Sequence, residues 1–391
     1  MRLMNKAGLI IFICSVIIFA QNKNLTMEQV ILHGYSLTPE KLSGLNWIPD
    51  TEDISFIDTL NGEEKIFRQS YDSNEKKEII GLSAFSKKLN SEKANPLNRF
   101  PNIEWVDKNS FKFEMKNKLY SYNKKTGKIR VLNSVDTSAE NIDYATNNGA
   151  AYTLNNNLYV AVNGKQLQIT NDSVKDIVNG QAVHRNEFGI IKGTFWSPSG
   201  KYLAFYRMDE TMVTDYPIVD LTVRPAVVAP IKYPMAGMTS HEVTVGIYNT
   251  EEGTTHWLKT GTPKDQYLTG VTWDPNEKLI YIGILNRDQN HLQLKAYDIK
   301  TGKEVRILFE ESNDKYVEPL QGPIFVKNQD DEFIWVSFRD GWNHLYLYKT
   351  DGSLVKKLTE GDWNVIDFDG FDSSGENIYF TSTKDSPIER Q

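Results

Sequence analysis

A short aromatic phrase that recurs along the chain limits the possible folds more than any other feature. The phrase starts with an aromatic residue and continues with a turn and two alternating apolar residues. It is clear at Trp47 (WIPDTEDISFID), Trp196 (WSPSGKYLAFYR) and Trp273 (WDPNEKLIYIGI). Weaker copies begin at Trp105, Tyr144, Phe325 and Phe371. Most steps between copies are about 40 to 60 residues, which is typical of the four-stranded blades of a β-propeller.

The sequence between these copies also favours β structure. Short alternating apolar runs are separated by turns such as NKKTGK at 123–128 and DIKTGK at 298–303, where Gly supplies the positive φ of a hairpin. The one helix that we predict covers 26–33 and begins at Thr26 as a capping residue. We therefore predict an all-β fold, a β-propeller that is incomplete in its last copies. A large β-sandwich with fortuitous spacing is the alternative.

The longest step between copies contains a proline-rich stretch. Residues 215–237 read DYPIVDLTVRPAVVAPIKYPMAG. Proline lacks the N–H that a sheet ladder needs, so this composition favours an extended arm over a pair of ladder strands.

The N-terminus has the pattern of a secretory signal peptide. Arg2 and Lys6 precede an apolar run, and the small residue Ala20 stands before a polar residue. We predict cleavage near Ala20, a propeller over 21–391, and a periplasmic or secreted protein with no membrane attachment after cleavage. The run is too short to span a bilayer, although a membrane anchor is the alternative. The single cysteine, Cys14, would leave with the peptide, which excludes disulfides and thiol chemistry in the mature chain.

The charge balance argues against one class of partner. Lys and Arg number 44 against 51 Asp and Glu, which gives a net charge of −7. No long basic stretch offers a counter-charge to phosphates, so we expect no nucleic-acid partner.

Several long phrases resemble one enzyme family. They are VHRNEFGIIKGTFWSPSGKYLAFYRMDETMV at 183–213, YPMAGMTSHEVTVGIYN at 233–249, YVEPL at 316–320, FRDGWNHLYLYKTDG at 338–352 and SPIER at 386–390. The HRNEFG and RDGWNHLYLY segments are the specific ones, since WSPSG is common to many propellers. From about residue 180 onward the chain resembles the dipeptidyl peptidase IV and prolyl tripeptidyl peptidase branch of prolyl oligopeptidase-type serine peptidases.

The resemblance implies an eight-bladed propeller that caps an α/β-hydrolase domain. Enzymes of this kind remove short peptides, usually ending in proline, from substrate N-termini. Their nucleophile lies in a G-x-S-x-G elbow, and the printed sequence contains no such motif. We therefore expect the catalytic half and the last propeller strands to lie beyond Gln391, and the chain alone to be inactive. The expected partners are a peptide with a free N-terminus and that hydrolase domain; a homodimer is a further expectation, and no cofactor is expected.

The resemblance also implies a role for Glu187 in the HRNEFG phrase. A carboxylate at a fixed distance from the nucleophile can measure a substrate from its α-ammonium group through a charge-assisted hydrogen bond. Dipeptidyl members have two adjacent glutamates, but here Asn186 precedes Glu187, as in tripeptidyl members. Release of dipeptides and release of tripeptides both stay open. Arg185 could hold a substrate carbonyl, although a surface cation or a partner of Glu187 is the simpler interpretation.

Other residues in these phrases suggest structural roles. His184, His241 and His344 lack metal-ligand spacing and have no elbow serine to activate, so we expect neither a metal site nor a triad among them. We predict that Trp342 is buried and that Asp340 accepts backbone N–H groups in a blade turn.

Two other functions remain as alternatives. The first is a stand-alone propeller that binds a peptide or protein in its central funnel. The second is a glycosidase, which needs two inward carboxylates a few ångströms apart. No pair in the sequence is singled out for the second role.

Overall fold

The computed structural model describes residues 24–34, 42–70, 72–73, 75–89, 97–372 and 374–388. The predicted signal peptide at 1–20 lies outside them, and so does its cysteine. Helix α1 (Met27–Ile31) confirms the helix expected near the start, with Thr26 as its cap. The Thr26 hydroxyl accepts the Gln29 N–H, and the Gln29 side chain accepts the Thr26 N–H. None of the helices in the described ranges is long and apolar enough to cross a membrane.

Antiparallel sheets follow one another along the chain, each built from strands that are close in sequence. Blade 1 contains β1 (Ser43–Trp47), β2 (Asp53–Leu60), β3 (Glu63–Ser70) and β4 (Lys76–Gly81), and helix α2 (Leu82–Leu89) follows it. Blade 2 contains β5 (Ile103–Asp107), β6 (Ser110–Met115), β7 (Lys118–Asn123) and β8 (Lys128–Ser134). Blade 3 contains β9 (Glu140–Tyr144), β10 (Ala150–Leu154), β11 (Asn157–Val162) and β12 (Lys165–Gln168).

The second half of the chain continues the series with one interruption. Blade 4 begins with β13 (Ile177–Asn179), β14 (Thr194–Trp196) and β15 (Tyr202–Asp209). A separate hairpin follows, formed by β16 (Asp215–Asp220) and β17 (Val227–Lys232). The blade ends with β18 (Glu242–Asn249) and β19 (Thr254–Trp257). Blade 5 contains β20 (Tyr267–Trp273), β21 (Leu279–Leu285), β22 (His291–Asp298) and β23 (Glu304–Ser312). Blade 6 contains β24 (Ile324–Phe325), β25 (Glu332–Ser337), β26 (His344–Lys349) and β27 (Leu354–Lys357). A seventh sheet pairs β28 (Val365–Phe371) with β29 (Ile378–Ser382).

This succession of small sheets confirms the all-β propeller. Strands at the same edge of neighbouring blades contact each other, as β1 does with β5 and β9 does with β14. Strands that meet in this way converge on the central axis of a propeller. We therefore place β1, β5, β9 and β14 at the inner edges of their blades, and β13 shares that edge of blade 4 because it also pairs with β15.

The hydrophobic core lies between blades. One cluster joins blades 4 and 5 and includes Tyr206, Val245 and Ile282. The next joins blades 5 and 6 and includes Tyr281 and Phe333. In these two clusters, each sheet covers its apolar face with the following sheet.

The recurring tryptophans connect successive blades. The indole N–H of Trp273 on β20 donates to the Phe195 carbonyl on β14, at 2.9 Å. The Trp196 indole N–H donates in the same way to the carbonyl of Asp143 on β9, at 3.0 Å. These bonds give the repeated phrase a physical role, since each satisfies an indole N–H while joining two blades. Trp47 in blade 1 differs, because its surface is 66% exposed.

Helix α2 had no counterpart in the sequence predictions. It places Phe85, which has no exposed surface, among four rings of blade 2 and the segment before it. Those rings are Phe100, Phe111, Phe113 and Tyr122, at centroid distances of 5.1 to 6.3 Å. A helix this short shows too little periodicity to be read from sequence, and tertiary contacts with one aromatic side chain hold it.

The prediction for the proline-rich stretch was wrong in one respect. Strands β16 and β17 pair in register from Asp215 opposite Lys232 to Asp220 opposite Val227. Pro217 lies opposite Pro230. A two-stranded ribbon tolerates this, because each strand has a free edge toward which a proline can direct the position that lacks N–H.

Candidate functional site

A segment inserted into the inner edge of blade 4 forms the candidate site. Strands β13 and β14 both pair with β15, one on each side of Tyr206. Residues 180–193 leave and rejoin the sheet there: Gly180 N–H donates to the Tyr206 carbonyl at 2.8 Å, and Tyr206 N–H donates to the Gly193 carbonyl at 2.9 Å. Strands β13 and β14 lie at the inner edge of the blade, with β15 on their outer side. The segment between them, residues 180–193, therefore extends from the inner edge, and we call it the inner insertion.

The inner insertion crosses the neighbouring blades. The backbone N–H of Leu268 on β20 donates to His184, and the Thr269 hydroxyl donates to the Phe188 carbonyl. Further on, Gly189 packs against the Leu320 carbonyl that precedes blade 6. A Cβ at Gly189 would lie 1.8 Å from that oxygen, and its φ is +72°. Only glycine fits this position.

A left-handed turn (His184–Asn186) lies at the centre of the insertion. The φ angles of His184, Arg185 and Asn186 are 52°, 58° and 62°, and that of Phe188 is 55°. Residues other than glycine rarely adopt a positive φ. Three such residues in succession persist only where contacts with the surrounding structure hold them. Strain of this kind concentrates at functional sites, which makes the turn a candidate on physical grounds.

Glu187 follows the turn and presents a carboxylate with no fixed partner. Its N–H donates to the His184 carbonyl, and its own carbonyl accepts from Ile190 N–H, both at 3.1 Å. The side chain is exposed, and within the described part of the chain it has no hydrogen bond or ion pair. The backbone is therefore held while the carboxylate stays available to a cation. Asn186 beside it is also exposed.

Arg185 points toward the hairpin of blade 4. Its guanidinium lies 5.1 Å from the centre of the Tyr233 ring, where the hairpin ends. The pKa of the nearby Glu210 carboxyl is raised by burial, and the positive charge of Arg185 opposes that rise. The three residues predicted for the site are thus consecutive, with Arg185 and Asn186 in the turn and Glu187 directly after it. The Arg185 guanidinium, however, stacks on Tyr233.

His184 and His241 form a buried pair beneath the turn. Their Nδ1 and Nε2 atoms respectively lie 2.8 Å apart, and the two side chains are 3% and 5% exposed. Burial lowers the pKa of His241 to about 4, with the charges of Arg185 and Arg287 acting in the same direction. Burial also lowers the pKa of His184, with His241 as the second cause. Both rings are therefore neutral near pH 7.

His344 has a structural role on another blade. Its Nδ1 lies 3.0 Å from the Thr359 hydroxyl, and its Nε2 lies 2.9 Å from the Gly361 carbonyl. These contacts fasten β26 to the loop that follows β27. Across the described ranges, no group of three or more His, Cys, Asp or Glu side chains has a metal-binding arrangement.

The predictions for the RDGW turn were wrong. Trp342 is 38% exposed rather than buried. Asp340 accepts from the Tyr346 hydroxyl and the Lys357 ammonium group, both at 2.6 Å, instead of from backbone N–H groups. The turn is wide enough to let the carboxylate reach partners on β26 and β27.

Arg339, the first residue of the RDGW turn, is partly buried. Its guanidinium lies 4.4 Å from the Tyr346 ring centre, donates to the Tyr348 hydroxyl and forms an ion pair with Glu311. Glu311 also accepts from the Trp335 indole N–H at 2.9 Å. Arg339, Glu311 and Trp335 line a cavity of about 210 Å³. Tyr316 lines the same cavity. Sequence reasoning missed this network, although Arg339 stands inside one of the specific phrases.

A comparison with known families decides the affiliation. Residues 98–391 match the family described as the dipeptidyl peptidase IV (DPP IV) N-terminal region. The chain belongs to this family. The match confirms the resemblance inferred from the phrases between residues 183 and 390.

Individual relatives of the DPP IV family agree with this assignment. The chain is 30% identical over 270 residues to a probable dipeptidyl-aminopeptidase B of Talaromyces marneffei, covering 61% of this chain and 30% of that protein. It is 26% identical over 396 residues to mouse inactive dipeptidyl peptidase 10, covering 94% of this chain and 48% of that protein. The chain thus spans about half or less of the length of these curated relatives.

A solved structure supports the fold. The crystal structure of a Bacteroides ovatus chain named as a dipeptidyl aminopeptidase IV matches with a TM-score of 0.76 and 39% identity. The match covers 88% of this chain and 50% of that chain. The present chain is accordingly an N-terminal DPP IV domain with a propeller fold.

Proposed function

We propose that the chain is the substrate-gating and N-terminus-recognition domain of a secreted serine exopeptidase. The enzyme would release dipeptides or tripeptides ending in proline, with its nucleophile supplied by a hydrolase domain that this sequence does not contain. One observation carries the proposal: Glu187 offers an exposed, unpaired carboxylate directly after a strained turn that extends from the inner edge of blade 4.

The chemistry of the turn suits an α-ammonium group. A free carboxylate on a fixed backbone can accept charge-assisted hydrogen bonds from a cation, and such bonds are about twice as strong as neutral ones. An exopeptidase needs this carboxylate at a constant distance from the nucleophile. The insertion is hydrogen-bonded to blade 5 as well as blade 4, and it packs against Leu320 before blade 6. The single acid, with Asn186 before it, favours tripeptides over dipeptides as the product.

Kinetics in the protein encoded by the complete reading frame test this role. Glu187→Gln is expected to raise KM for X-X-Pro anilides with a free amine by about tenfold or more, since one charged hydrogen bond is lost. The matched control is Glu252→Gln, which changes an exposed glutamate beside the outer strands of the same blade. An equal loss on N-acetylated substrates would exclude the measuring role of Glu187.

A stand-alone binding propeller is the second candidate. It is favoured by the similarity to a relative named as inactive. The coding sequence after codon 391 separates the two. A continuous frame with an elbow serine supports the exopeptidase, and a stop codon supports the binding propeller.

Export and self-association complete the proposal. Export to the periplasm or medium rests on residues 1–20, and N-terminal sequencing of the mature protein should then start near Gln21.

Homodimer formation is supported by the hairpin, whose two faces expose Tyr216, Ile218, Val219 and Val228. Sedimentation of a Val219→Asp, Val228→Asp double variant as a smaller species than the parent would identify the hairpin as the interface.

A further inference from the structure

The segment 184–188, which contains the left-handed turn and Glu187, is anchored at both ends to one strand of the next blade. His184 Nε2 accepts the Leu268 N–H at 3.2 Å, and the Phe188 carbonyl accepts from the Thr269 hydroxyl. Leu268 and Thr269 are consecutive on β20, and both are buried. The exposed residues 185–187 therefore bridge two attachment points on a single rigid strand.

The hydrogen-bond pattern determines the proton positions on both histidines. A backbone N–H can only donate, so His184 Nε2 must be the unprotonated nitrogen of a neutral ring. His184 Nδ1 then carries the proton and donates to His241 Nε2, 2.8 Å away. His241 Nε2 is in turn the acceptor, and the His241 proton resides on Nδ1. His241 thus selects the form of His184 that can accept from Leu268.

His241 lies where the hairpin excursion returns to the sheet. It directly precedes β18, and the return segment 233–241 contacts the turn twice: Tyr233 lies under Arg185, and His241 touches His184. His241 Nδ1 is buried with no hydrogen-bond partner among the described residues. An unsatisfied buried N–H costs free energy. An apolar side chain could fill the same space without this cost, which indicates that His241 has a role beyond packing.

We propose that His241 is a positioning residue for Glu187. By accepting from His184 Nδ1, His241 keeps the His184 ring in the orientation that anchors the turn, and so it sets where the Glu187 carboxylate lies relative to blade 5. Three successive residues with positive φ stay in place only while their surroundings hold them. The inference rests on the function proposed above, because it concerns the same carboxylate.

A distance measurement tests the positioning directly. Spin labels at Asn186→Cys and Lys300→Cys, in a Cys14→Ser background, report the separation between the turn and an exposed turn of blade 5. His241→Phe is expected to broaden the distance distribution. His241→Gln is expected to keep it narrow, because the glutamine Oε1 can accept from His184 Nδ1. The matched control is His256→Gln on the exposed outer strand β19. An unchanged distribution in His241→Phe would overturn the proposal.

Peptide affinity gives the functional readout. For Ala-Ala-Pro with a free amine, we expect His241→Phe to weaken binding by about three- to tenfold through misplacement of one charged hydrogen bond, with recovery in His241→Gln. If Glu187→Gln leaves this affinity unchanged while His241→Phe still broadens the distances, the proposed function fails and the positioning role stands.

The wild-type chain provides a test that needs no variant. Long-range ¹H–¹⁵N spectra should show His184 and His241 as neutral rings, both protonated on Nδ1. If the His241→Phe variant fails to fold, the wild-type spectrum alone tests the proposal. A His184 ring protonated on Nε2 would break the link to Leu268 and overturn the proposal.

Discussion

The indole N–H of Trp273 and the carbonyl of Phe195 join blades 5 and 4 through a hydrogen bond of 2.9 Å. Trp273 is 7% exposed, so its ring is almost completely buried between the two blades. The equivalent bond from Trp196 to Asp143 joins blades 4 and 3. The repeated phrase therefore encodes contacts between blades as well as strands within them.

Trp273→Phe should reduce the free energy of unfolding by about 1 to 3 kcal/mol, because the Phe195 carbonyl loses its donor and part of the ring volume is lost. Urea denaturation measures the change. Trp47→Phe is the matched control, and it should alter stability little because Trp47 is 66% exposed. Equal losses in the two variants would contradict a role for the indole bond.

The buried histidine pair should make stability depend on pH. The pKa of His241 is lowered to about 4 in the fold, against about 6.5 in the unfolded chain. Between these values only the unfolded state binds the proton, so stability is full above pH 6.5 and falls as the pH decreases toward 4. From pH 7.5 to 5.5, His241 alone should account for a loss of about 1.4 kcal/mol, and His184 should act in the same direction. Urea denaturation at the two pH values measures the loss, and an unchanged midpoint would contradict neutral buried rings.

Gly189→Ala should displace the inner insertion. The new Cβ would lie 1.8 Å from the Leu320 carbonyl oxygen, and φ is +72° at this position. We expect a loss of stability larger than the roughly 1 kcal/mol typical of an alanine at positive φ. Gly164→Ala separates the two causes, since Gly164 has a φ of +73° with no atom within 4 Å. Thermal or urea unfolding should show the larger loss in Gly189→Ala, and equal losses would mean that the contact with Leu320 is absent.

The Arg339–Glu311 ion pair should contribute more than a surface pair. The Glu311 side chain is 9% exposed and the Arg339 side chain 27%. Arg339→Met should cost about 3 kcal/mol, because it leaves a buried carboxylate without its cation. The double variant Arg339→Met, Glu311→Gln should recover part of this loss. A double variant less stable than Arg339→Met would contradict this explanation.

Features that repeat along the chain could be predicted from the sequence. The spacing of Trp196 and Trp273 indicated blades, and Thr26 indicated the cap of a short helix. Features that depend on one tertiary contact could not. Helix α2 is held by Phe85 among rings from elsewhere in the chain, and the hairpin at 215–232 pairs despite its prolines.

The site was only partly accessible to sequence reasoning. Resemblance pointed to Arg185, Asn186 and Glu187, and the structure places the first two in the left-handed turn and Glu187 directly after it. The left-handed backbone and the His184–His241 pair beneath it were not predicted, because residues 184 and 241 meet only after the hairpin returns to blade 4. Asp340 and Trp342 were misjudged, since a turn motif does not reveal which side chain neighbouring strands will bury.

The central claim is that Glu187 binds the α-ammonium group of a peptide. The most direct measurement compares the affinities of the 391-residue chain for Ala-Ala-Pro and for N-acetyl-Ala-Ala-Pro, before and after Glu187→Gln. We predict that the free peptide binds more tightly, and that Glu187→Gln weakens it by about tenfold or more while the acetylated peptide is unaffected. Equal affinities for the two peptides, or a preference that survives Glu187→Gln, would contradict the claim.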